Sequence, residues 1–256
     1  MQIGLALSGG AVRGIAHLGV LSSLIKAGIP IDLVAGCSAG AVLAALFCCG
    51  TPIEDIHAQI PHLSWRRLAR LIRSNIGLLT MDRLERWLMM LIGDLAFSDL
   101  KIPLAIVAMD VETGERVILQ DGRLARAVRA SCSVPGIITP VEINGRFLAD
   151  GGIVDNLPVD AARHIGADIV IGVDMFEPYY GRESGLLGSG LTTFETLIRN
   201  AGGGVNLADF LIKPCLAGQT FVRFSQCKML IALGDVAAEA SLPSLFKAMN
   251  EVGFTG

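Results

Sequence analysis

The chain has 256 residues, which is enough for one large α/β domain with a substantial core. Its formal net charge is −3 and its sequence pI is about 5.8, and this balance argues against a nucleic-acid partner. Hydrophobic residues make up 52% of the chain. That fraction is typical of a parallel sheet buried between Ala- and Leu-rich helices, although an apolar substrate site or a membrane-contacting surface would also raise it.

The cysteines and the N-terminus bear on the compartment. The six cysteines form no C-x-x-C pair, and no Cys/His cluster has the spacing of a zinc site, so we expect no metal. The first residues show no basic segment followed by a long apolar run, which is the mark of a secretory signal. We therefore expect a cytoplasmic protein whose thiols are mostly small buried hydrophobes.

The N-terminal segment predicts a βαβ unit. Residues 3–7 form an apolar strand, and residues 12–27 form a helix that ends at Gly28. Ile29-Pro30 then breaks the chain before a second strand at Leu33. Because such crossovers are right-handed, the two strands are expected to be parallel neighbours.

Gly36-Cys37-Ser38-Ala39-Gly40 follows this second strand and precedes an apolar helix at 41–49. A G-x-S-x-G pattern between a strand and a helix predicts a nucleophile elbow, a turn too tight for side chains at Gly36 and Gly40. Ser38 would then present its hydroxyl at the carboxyl end of a strand, where open α/β sheets place their sites. The uncharged run 33–50 approaches the length of a membrane span, but the turn glycines divide it into strand, elbow and helix.

Residues 51–100 are less regular and predict a helical, cap-like region. This region carries a basic cluster in which Trp65 and Leu68 are interleaved. The simpler interpretation is a solvated helix face; the alternative is an interfacial helix that meets anionic lipid headgroups, giving peripheral membrane contact. The cluster consists of Arg66, Arg67, Arg70 and Arg73.

The rest of the chain continues the α/β pattern. We predict strands at 104–109, 116–119, 141–143, 146–148, 169–173 and 210–212, and helices from Pro158 to about 165 and at about 228–240. Asn144-Gly145 predicts a two-residue hairpin turn. The glycine-rich segment 177–204 predicts a mobile loop with one short helix near 194–198. No linker or repeat is visible, so residues 1–256 are expected to form a single domain.

The glycine-rich loop Gly9-Gly10-Ala11-Val12-Arg13-Gly14 lies between the first strand and its helix. Its backbone N–H groups, at a helix N-terminus, could stabilise the oxyanion of an acyl-transfer intermediate. A dinucleotide fingerprint is disfavoured because Ala11 occupies the middle glycine position and no acidic residue ends the second strand. The Gly-Lys-Ser/Thr sequence of a P-loop is absent.

A serine nucleophile needs a base, and the chain offers few candidates. A triad of Ser38, Asp150 and His164 has the chain order of α/β-hydrolases, but His164 falls within a predicted helix. Asp150 alone could hydrogen-bond the serine, because Gly151-Gly152 allows a sharp turn beside it. An ordinary Asp-Gly-Gly turn is the alternative. The remaining histidines are His17, His57 and His62.

Four motifs in the same order resemble the patatin-like phospholipases, a group that includes bacterial esterases and the catalytic domain of neuropathy target esterase. The resemblance spans about residues 3–245 and implies a three-layer α/β/α fold with a mainly parallel central sheet. It also implies that Ser38 is the nucleophile and Asp150 the base of a dyad without histidine, and that the oxyanion hole is formed by the amides of Gly9, Gly10 and Ala11. The motifs are residues 9–14, 36–40, 130–136, and Asp150-Gly151-Gly152 followed by Asn156-Leu157-Pro158.

The resemblance implies a serine hydrolase of lipid or small acyl esters that needs no cofactor. The chain departs from the family at Ala11, where a third glycine is usual; if that position requires a positive φ, alanine costs about 1 kcal/mol or more. Arg13 either contacts a substrate anion or bonds nearby carbonyls. Acyl transfer to an acceptor other than water and a binding module without activity remain alternatives. Nothing in the sequence indicates an oligomeric state.

Overall fold

The structure is a computed structural model, and it describes residues 1–176, 196–199, 201–219 and 221–251. Most of the segment predicted as a mobile loop, 177–204, therefore lies outside the described residues. Within it, residues 196–199 form a helical turn, close to the short helix predicted near 194–198.

The strands follow the predicted order, with one additional short pair in the cap-like region. They are β1 (Ile3–Leu7), β2 (Leu33–Cys37), β3 (Arg70–Leu71), β4 (Leu79–Thr80), β5 (Leu104–Asp110), β6 (Arg116–Leu119), β7 (Val141–Ile143), β8 (Arg146–Asp150), β9 (Ile169–Val173) and β10 (Phe210–Ile212).

The helices alternate with these strands. They are α1 (Ala16–Lys26), α2 (Ala39–Cys48), α3 (Ile53–Gln59), α4 (Trp65–Leu68), α5 (Asp82–Ile92), α6 (Leu124–Ser131), α7 (Val159–His164), α8 (Gly204–Leu207) and α9 (Cys227–Glu251). The last helix is longer than the 228–240 predicted: it continues through Pro243 because Leu245 and Met249 in its final turns are buried in the core.

The central sheet is mixed, with a parallel part in the order β10-β9-β1-β2-β5. The predicted parallel pairing of the first two strands is confirmed. Every residue of β1, β2, β5 and β9 is buried, as expected for strands covered on both faces. The predicted hairpin is also present: β7 and β8 are antiparallel, and Asn144 and Gly145 both have positive φ, at 53° and 77°.

Strand β5 determines how the antiparallel part meets the parallel part. Residues 106–109 of β5 pair with β6, residues 104–107 pair with β2, and residues 108–110 pair with β8. A strand has only two edges, so β6 occupies one edge, and β2 and β8 share the other. Strand β8 therefore takes over along β5 at the point where β2 stops.

Helices cover both faces of the sheet, which confirms the three-layer α/β/α architecture. Helices α1, α2, α6 and α9 belong to the larger core, and α7 packs on the opposite face in a smaller, alanine-rich core. Helices α1 and α9 approach closely: a Cβ on Gly19 would lie 2.0 Å from the Ile231 carbonyl oxygen. By length and composition alone, Phe224–Met249 qualifies as a helix that could cross a membrane.

The cap-like region differs from its prediction in one respect. The arginine cluster does not lie on one helix, because the chain leaves α4 after a single turn and pairs as β3 with β4. Strand β4 is in turn attached to the 137–139 segment, since Thr139 donates its N–H to the Leu79 carbonyl. Arg66 lies on α4, Arg70 on β3 and Arg73 in the intervening hairpin loop.

Candidate active site

Ser38 occupies a strained turn between β2 and α2. Its φ of 51° and ψ of −120° lie outside the regions that side-chain-bearing residues prefer. The flanking glycines allow the turn to pack tightly. A Cβ on Gly36 would lie 2.8 Å from the Ala41 nitrogen, and one on Gly40 would lie 2.2 Å from the Leu7 carbonyl oxygen. The result is the sharp strand-to-helix geometry of a nucleophile elbow.

Strand β8 brings Asp150 to this turn. The last residue pair of β2 along β5 is Cys37 with Val107, and the next residue of β5, Ala108, pairs with Asp150. Ser38 and Asp150 are therefore adjacent although 112 residues separate them in the sequence. The Ser38 hydroxyl donates to Asp150 Oδ2 at 2.7 Å.

The Asp150 carboxylate is buried and held in one orientation. Gly152 donates its N–H to Oδ1 at 2.8 Å. Burial raises the pKa of Asp150 to about 6, because the hydrogen bonds from Ser38 and Gly152 offset only part of the desolvation of the charged form. A carboxylate with such a pKa can accept the Ser38 proton near neutral pH and later return it.

Ser131 is a site residue to which the sequence assigned no role. Its hydroxyl accepts the N–H of Ser38 at 2.7 Å and donates to the Val107 carbonyl oxygen at 2.6 Å. It thereby ties the elbow to β5 and uses the Ser38 amide, which is consequently not available to an oxyanion. The only sequence signal was its place in the 130–136 motif.

The glycine loop lies beside Ser38, but its amides are not equivalent. The Gly9 N–H donates to the Asn156 side-chain oxygen at 3.1 Å and the Asn156 carbonyl at 3.3 Å. Within the described residues, the N–H groups of Gly10 and Ala11 have no hydrogen-bond acceptor. Gly9, Gly10 and Ala11 all line a cavity that Ser38 and Asp150 also reach.

Ala11 has a φ of 47°, so this departure from the glycine pattern does occupy the left-handed region. An alanine there costs about 1–2 kcal/mol relative to glycine. Ala11 is exposed and lines both cavities. Gly14 allows α2 to approach the glycine loop, because a Cβ on Gly14 would lie 2.4 Å from the Ala39 Cβ.

The Arg13 side chain bonds a nearby carbonyl. Its guanidinium is fully buried, donates through Nε and Nη2 to the Gln219 carbonyl oxygen, and lies 3.7 Å from the centroid of the Phe221 ring. Val12 donates its N–H to the Phe221 carbonyl. Arg13 therefore contacts both Gln219 and Phe221 beside the glycine loop.

No histidine contacts the serine. All four histidines lie in the described residues, and none forms a hydrogen bond with Ser38 or Asp150. His17 is buried with Nε2 against the Ser8 carbonyl at 2.8 Å, and burial lowers its pKa to about 4. His164 lies exposed at the end of α7.

Two apolar cavities meet at Ser38. One, of about 110 Å³, lies between α2 and α5 and is lined by Val42, Leu43, Leu84 and Trp87 among others. The second, of about 260 Å³, is lined by apolar side chains from the β4, 134–138 and 221–222 segments together with Asp150. Over the part of the chain that the structure describes, no group of His, Cys, Asp and Glu side chains could hold a metal ion.

Known proteins with similar sequences support the same assignment of fold. Residues 5–163 match the family model described as Patatin-like phospholipase. An uncharacterized NTE family protein of Mycobacterium tuberculosis is 37% identical over 177 residues, which is 68% of this chain and 49% of that protein. The lysophospholipase nte1 of Aspergillus fumigatus is 31% identical over 179 residues, which is 68% of this chain and 12% of that protein.

The chain thus spans about half the length of the mycobacterial relatives and about an eighth of the fungal one. Among solved structures, VipD from Legionella pneumophila has a TM-score of 0.71 at 17% identity, over 95% of this chain and 67% of that chain. The type III effector protein ExoU has a TM-score of 0.53 at 15% identity, over 95% of this chain and 53% of that chain. The family match and the identities to these relatives show that the chain belongs to the patatin-like phospholipase family.

Proposed function

We propose that the protein hydrolyses acyl esters of lipids, with Ser38 as nucleophile and Asp150 as general base. The observation that carries the proposal is the 2.7 Å hydrogen bond from the Ser38 hydroxyl to a buried Asp150 carboxylate, at the meeting point of two apolar cavities. The names of the fungal relatives, which are lysophospholipases, support a lipid substrate.

The reaction proceeds through an acyl-enzyme. Asp150 takes the Ser38 proton as the serine oxygen attacks the acyl carbonyl, and a tetrahedral oxyanion forms. The N–H groups of Gly10 and Ala11 stabilise that oxyanion, rather than those of all three loop residues, because the Gly9 N–H is donated to Asn156. Asp150 then returns its proton to the departing alcohol, the ester bond to that alcohol breaks, and the acyl group remains on Ser38.

Water completes the cycle. With Asp150 again unprotonated, a water molecule gives a proton to this carboxylate and attacks the acyl-enzyme carbonyl, and the fatty acid leaves as Ser38 regains its proton. No metal or organic cofactor enters any step. The acyl chain lies in the apolar cavity between α2 and α5. We also propose that the protein is cytoplasmic and contacts the inner face of the membrane.

Covalent labelling tests the proposal directly. The protein is incubated with an alkyl fluorophosphonate, and its intact mass is measured. We expect stoichiometric labelling of the wild type at Ser38, no labelling of Ser38→Ala, and much slower labelling of Asp150→Asn. Ser133→Ala is the matched control and should label normally, since within the described part of the chain its hydroxyl bonds only the Arg129 carbonyl. A wild type that is not labelled would favour the binding-module alternative.

A further inference from the structure

The β3–β4 hairpin exposes an unusual amount of apolar surface. Leu71 is 79% exposed, Ile76 59% and Leu78 62%, all within eight residues of one another. Single exposed apolar side chains are normal on soluble proteins, but three of them on one short hairpin indicate an interaction surface. We call this group, together with the neighbouring Arg66, Arg67 and Arg73, the hairpin face.

The charge of the hairpin face has one sign. Residues 62–81 contain four arginines and no acidic residue, although the whole chain has a net charge of −3. Arg66, Arg67 and Arg73 are exposed, and none makes an ion pair with any residue that the structure describes. Asp82, the first acidic residue after this run, is paired with Arg70 and Arg86. A partner for this face should therefore carry negative charge.

The hairpin face is continuous with the larger cavity at Ser38. Leu78 and Leu79 both donate their N–H groups to the Ile137 carbonyl, at 2.9 and 3.0 Å. Leu79 and Ile137 line the cavity, and Ile137 is also part of the exposed surface. On the same cavity, Trp65 donates its indole N–H to the carbonyl of the exposed Val222. The hairpin therefore borders the same cavity that Ser38 lines.

We propose that the hairpin face docks the protein on bilayers that contain anionic phospholipid. Exposed leucine and isoleucine side chains would enter the headgroup boundary while the arginines pair with lipid phosphates, as in interfacial amphipathic segments. A bilayer fits better than a protein partner because the hairpin borders an apolar cavity that leads to Ser38, where it meets the cavity proposed for the acyl chain. This inference rests on the proposed function, because docking matters only if Ser38 acts on lipid from the bilayer.

The experiment measures co-sedimentation of the Ser38→Ala protein with vesicles, so that no lipid is consumed. One set of vesicles is phosphatidylcholine alone, and the other includes about a quarter phosphatidylglycerol. We expect binding only to the anionic set, and loss of binding as salt rises from about 0.1 M to about 1 M, where the screening length falls to about 3 Å. Added to Ser38→Ala, Leu71→Ser/Ile76→Ser should weaken binding at least tenfold.

A second double variant tests the contribution of the arginines to vesicle binding. In the same Ser38→Ala background, Arg67→Gln/Arg73→Gln should weaken binding about 30-fold, from about fivefold per arginine near an anionic surface. Two matched controls use exposed residues on other elements: Ile25→Ser/Val236→Ser for apolar loss, and Lys26→Gln/Lys101→Gln for charge loss. Both controls should bind like the parent Ser38→Ala protein.

Four outcomes would overturn the proposal. These are equal binding to both vesicle sets, no binding to either, controls that lose as much binding as the hairpin variants, and hairpin variants that bind vesicles like the parent protein. If the hairpin variants leave vesicle binding intact but dissociate a dimer of the free protein, the face is a contact between copies and the proposal is wrong. Hydrolysis of a water-soluble short-chain ester, with Ser38 intact, separates the two claims: hairpin variants should keep that activity whether or not docking occurs.

Discussion

The elbow and the β3–β4 hairpin are both close to the same cavity, yet they are held by different means. The elbow is fixed by close backbone packing, with Gly36, Gly40 and Gly14 each at a position where a Cβ would overlap a neighbour. The hairpin is held by a few hydrogen bonds to the 137–139 segment and exposes most of its side chains. Rigid geometry suits a reaction centre, whereas exposed side chains on a short hairpin suit a surface that binds a partner.

This difference predicts that small changes at the elbow strongly reduce ester hydrolysis, while changes on the hairpin leave hydrolysis of a soluble ester intact. Among substitutions that leave the dyad itself unchanged, Gly40→Ala should have the largest effect, because its Cβ would lie 2.2 Å from the Leu7 carbonyl oxygen and the strand or helix must move. We expect kcat/KM for a soluble ester to fall at least about 100-fold and stability to fall by about 1–3 kcal/mol.

The control for this change is Gly28→Ala. Gly28 also has a positive φ, of 73°, but nothing lies within 4 Å of a Cβ there. This variant should lose about 1 kcal/mol of stability and keep its activity. Equal activities of Gly40→Ala and the wild type would show that the elbow tolerates movement, contrary to the contrast drawn above.

Ser131→Ala tests whether a hydrogen bond outside the dyad positions the nucleophile. The change leaves the Ser38 N–H and the Val107 carbonyl without their shared partner. We expect kcat to fall about 10- to 100-fold with little change in KM, since one or two buried groups are left unsatisfied. Ser133→Ala, two residues away, should change kcat less than threefold. A similar loss in both variants would indicate a general effect on α6 instead.

The raised pKa of Asp150 predicts a stability cost at the reaction centre. The folded state holds this proton more tightly than the unfolded chain, so the wild type loses stability as pH rises from about 4 through about 6. Asp150→Asn avoids that loss and should be more stable at pH 8, by up to about 3 kcal/mol, with the two proteins converging near pH 4. Thermal unfolding across this pH range measures the difference. A less stable Asp150→Asn at pH 8 would contradict the burial argument.

The same group predicts the pH dependence of activity. Because the base must be unprotonated, kcat/KM for a soluble ester should rise with pH through about 6 and then level off. A profile that is flat between pH 5 and 8 would show that Asp150 is not the titrating base.

Ala11→Gly should give the smallest effect. Glycine removes the strain of a φ of 47° but increases the freedom of the unfolded chain, and the two terms nearly cancel. We expect a gain of about 0.5 kcal/mol in unfolding free energy, from chemical denaturation, and kcat within threefold of the wild type. A loss greater than about 1 kcal/mol would mean that the Ala11 methyl contributes packing at the cavity.

The sequence predicted those parts of the site that local patterns specify. The elbow, the glycine loop and the Asn144-Gly145 hairpin each depend on residues within a few positions of one another, where turn chemistry acts. The β3–β4 pair was missed because it depends on contacts with residues 137–139, far away in the sequence. For the same reason, the arginine cluster was assigned to a helix.

Other features of the site depend on tertiary structure. The end-to-end arrangement of β2 and β8 along β5, which brings Asp150 to Ser38, follows from strand pairing that no local pattern specifies. The same holds for Asn156, whose side chain accepts the Gly9 N–H, and for the Ser131 hydroxyl beneath the elbow. Polar side chains such as these have no periodicity that would distinguish them from surface residues.

The central claim is that Ser38 and Asp150 act without a histidine. The most direct measurement is kcat/KM for a medium-chain p-nitrophenyl ester with Asp150→Asn and His164→Ala, each compared with the wild type. A dyad predicts a loss of at least about 1000-fold for Asp150→Asn and a change of less than twofold for His164→Ala. If His164→Ala loses as much as Asp150→Asn, or if Asp150→Asn stays within tenfold of the wild type, the two-residue mechanism is wrong.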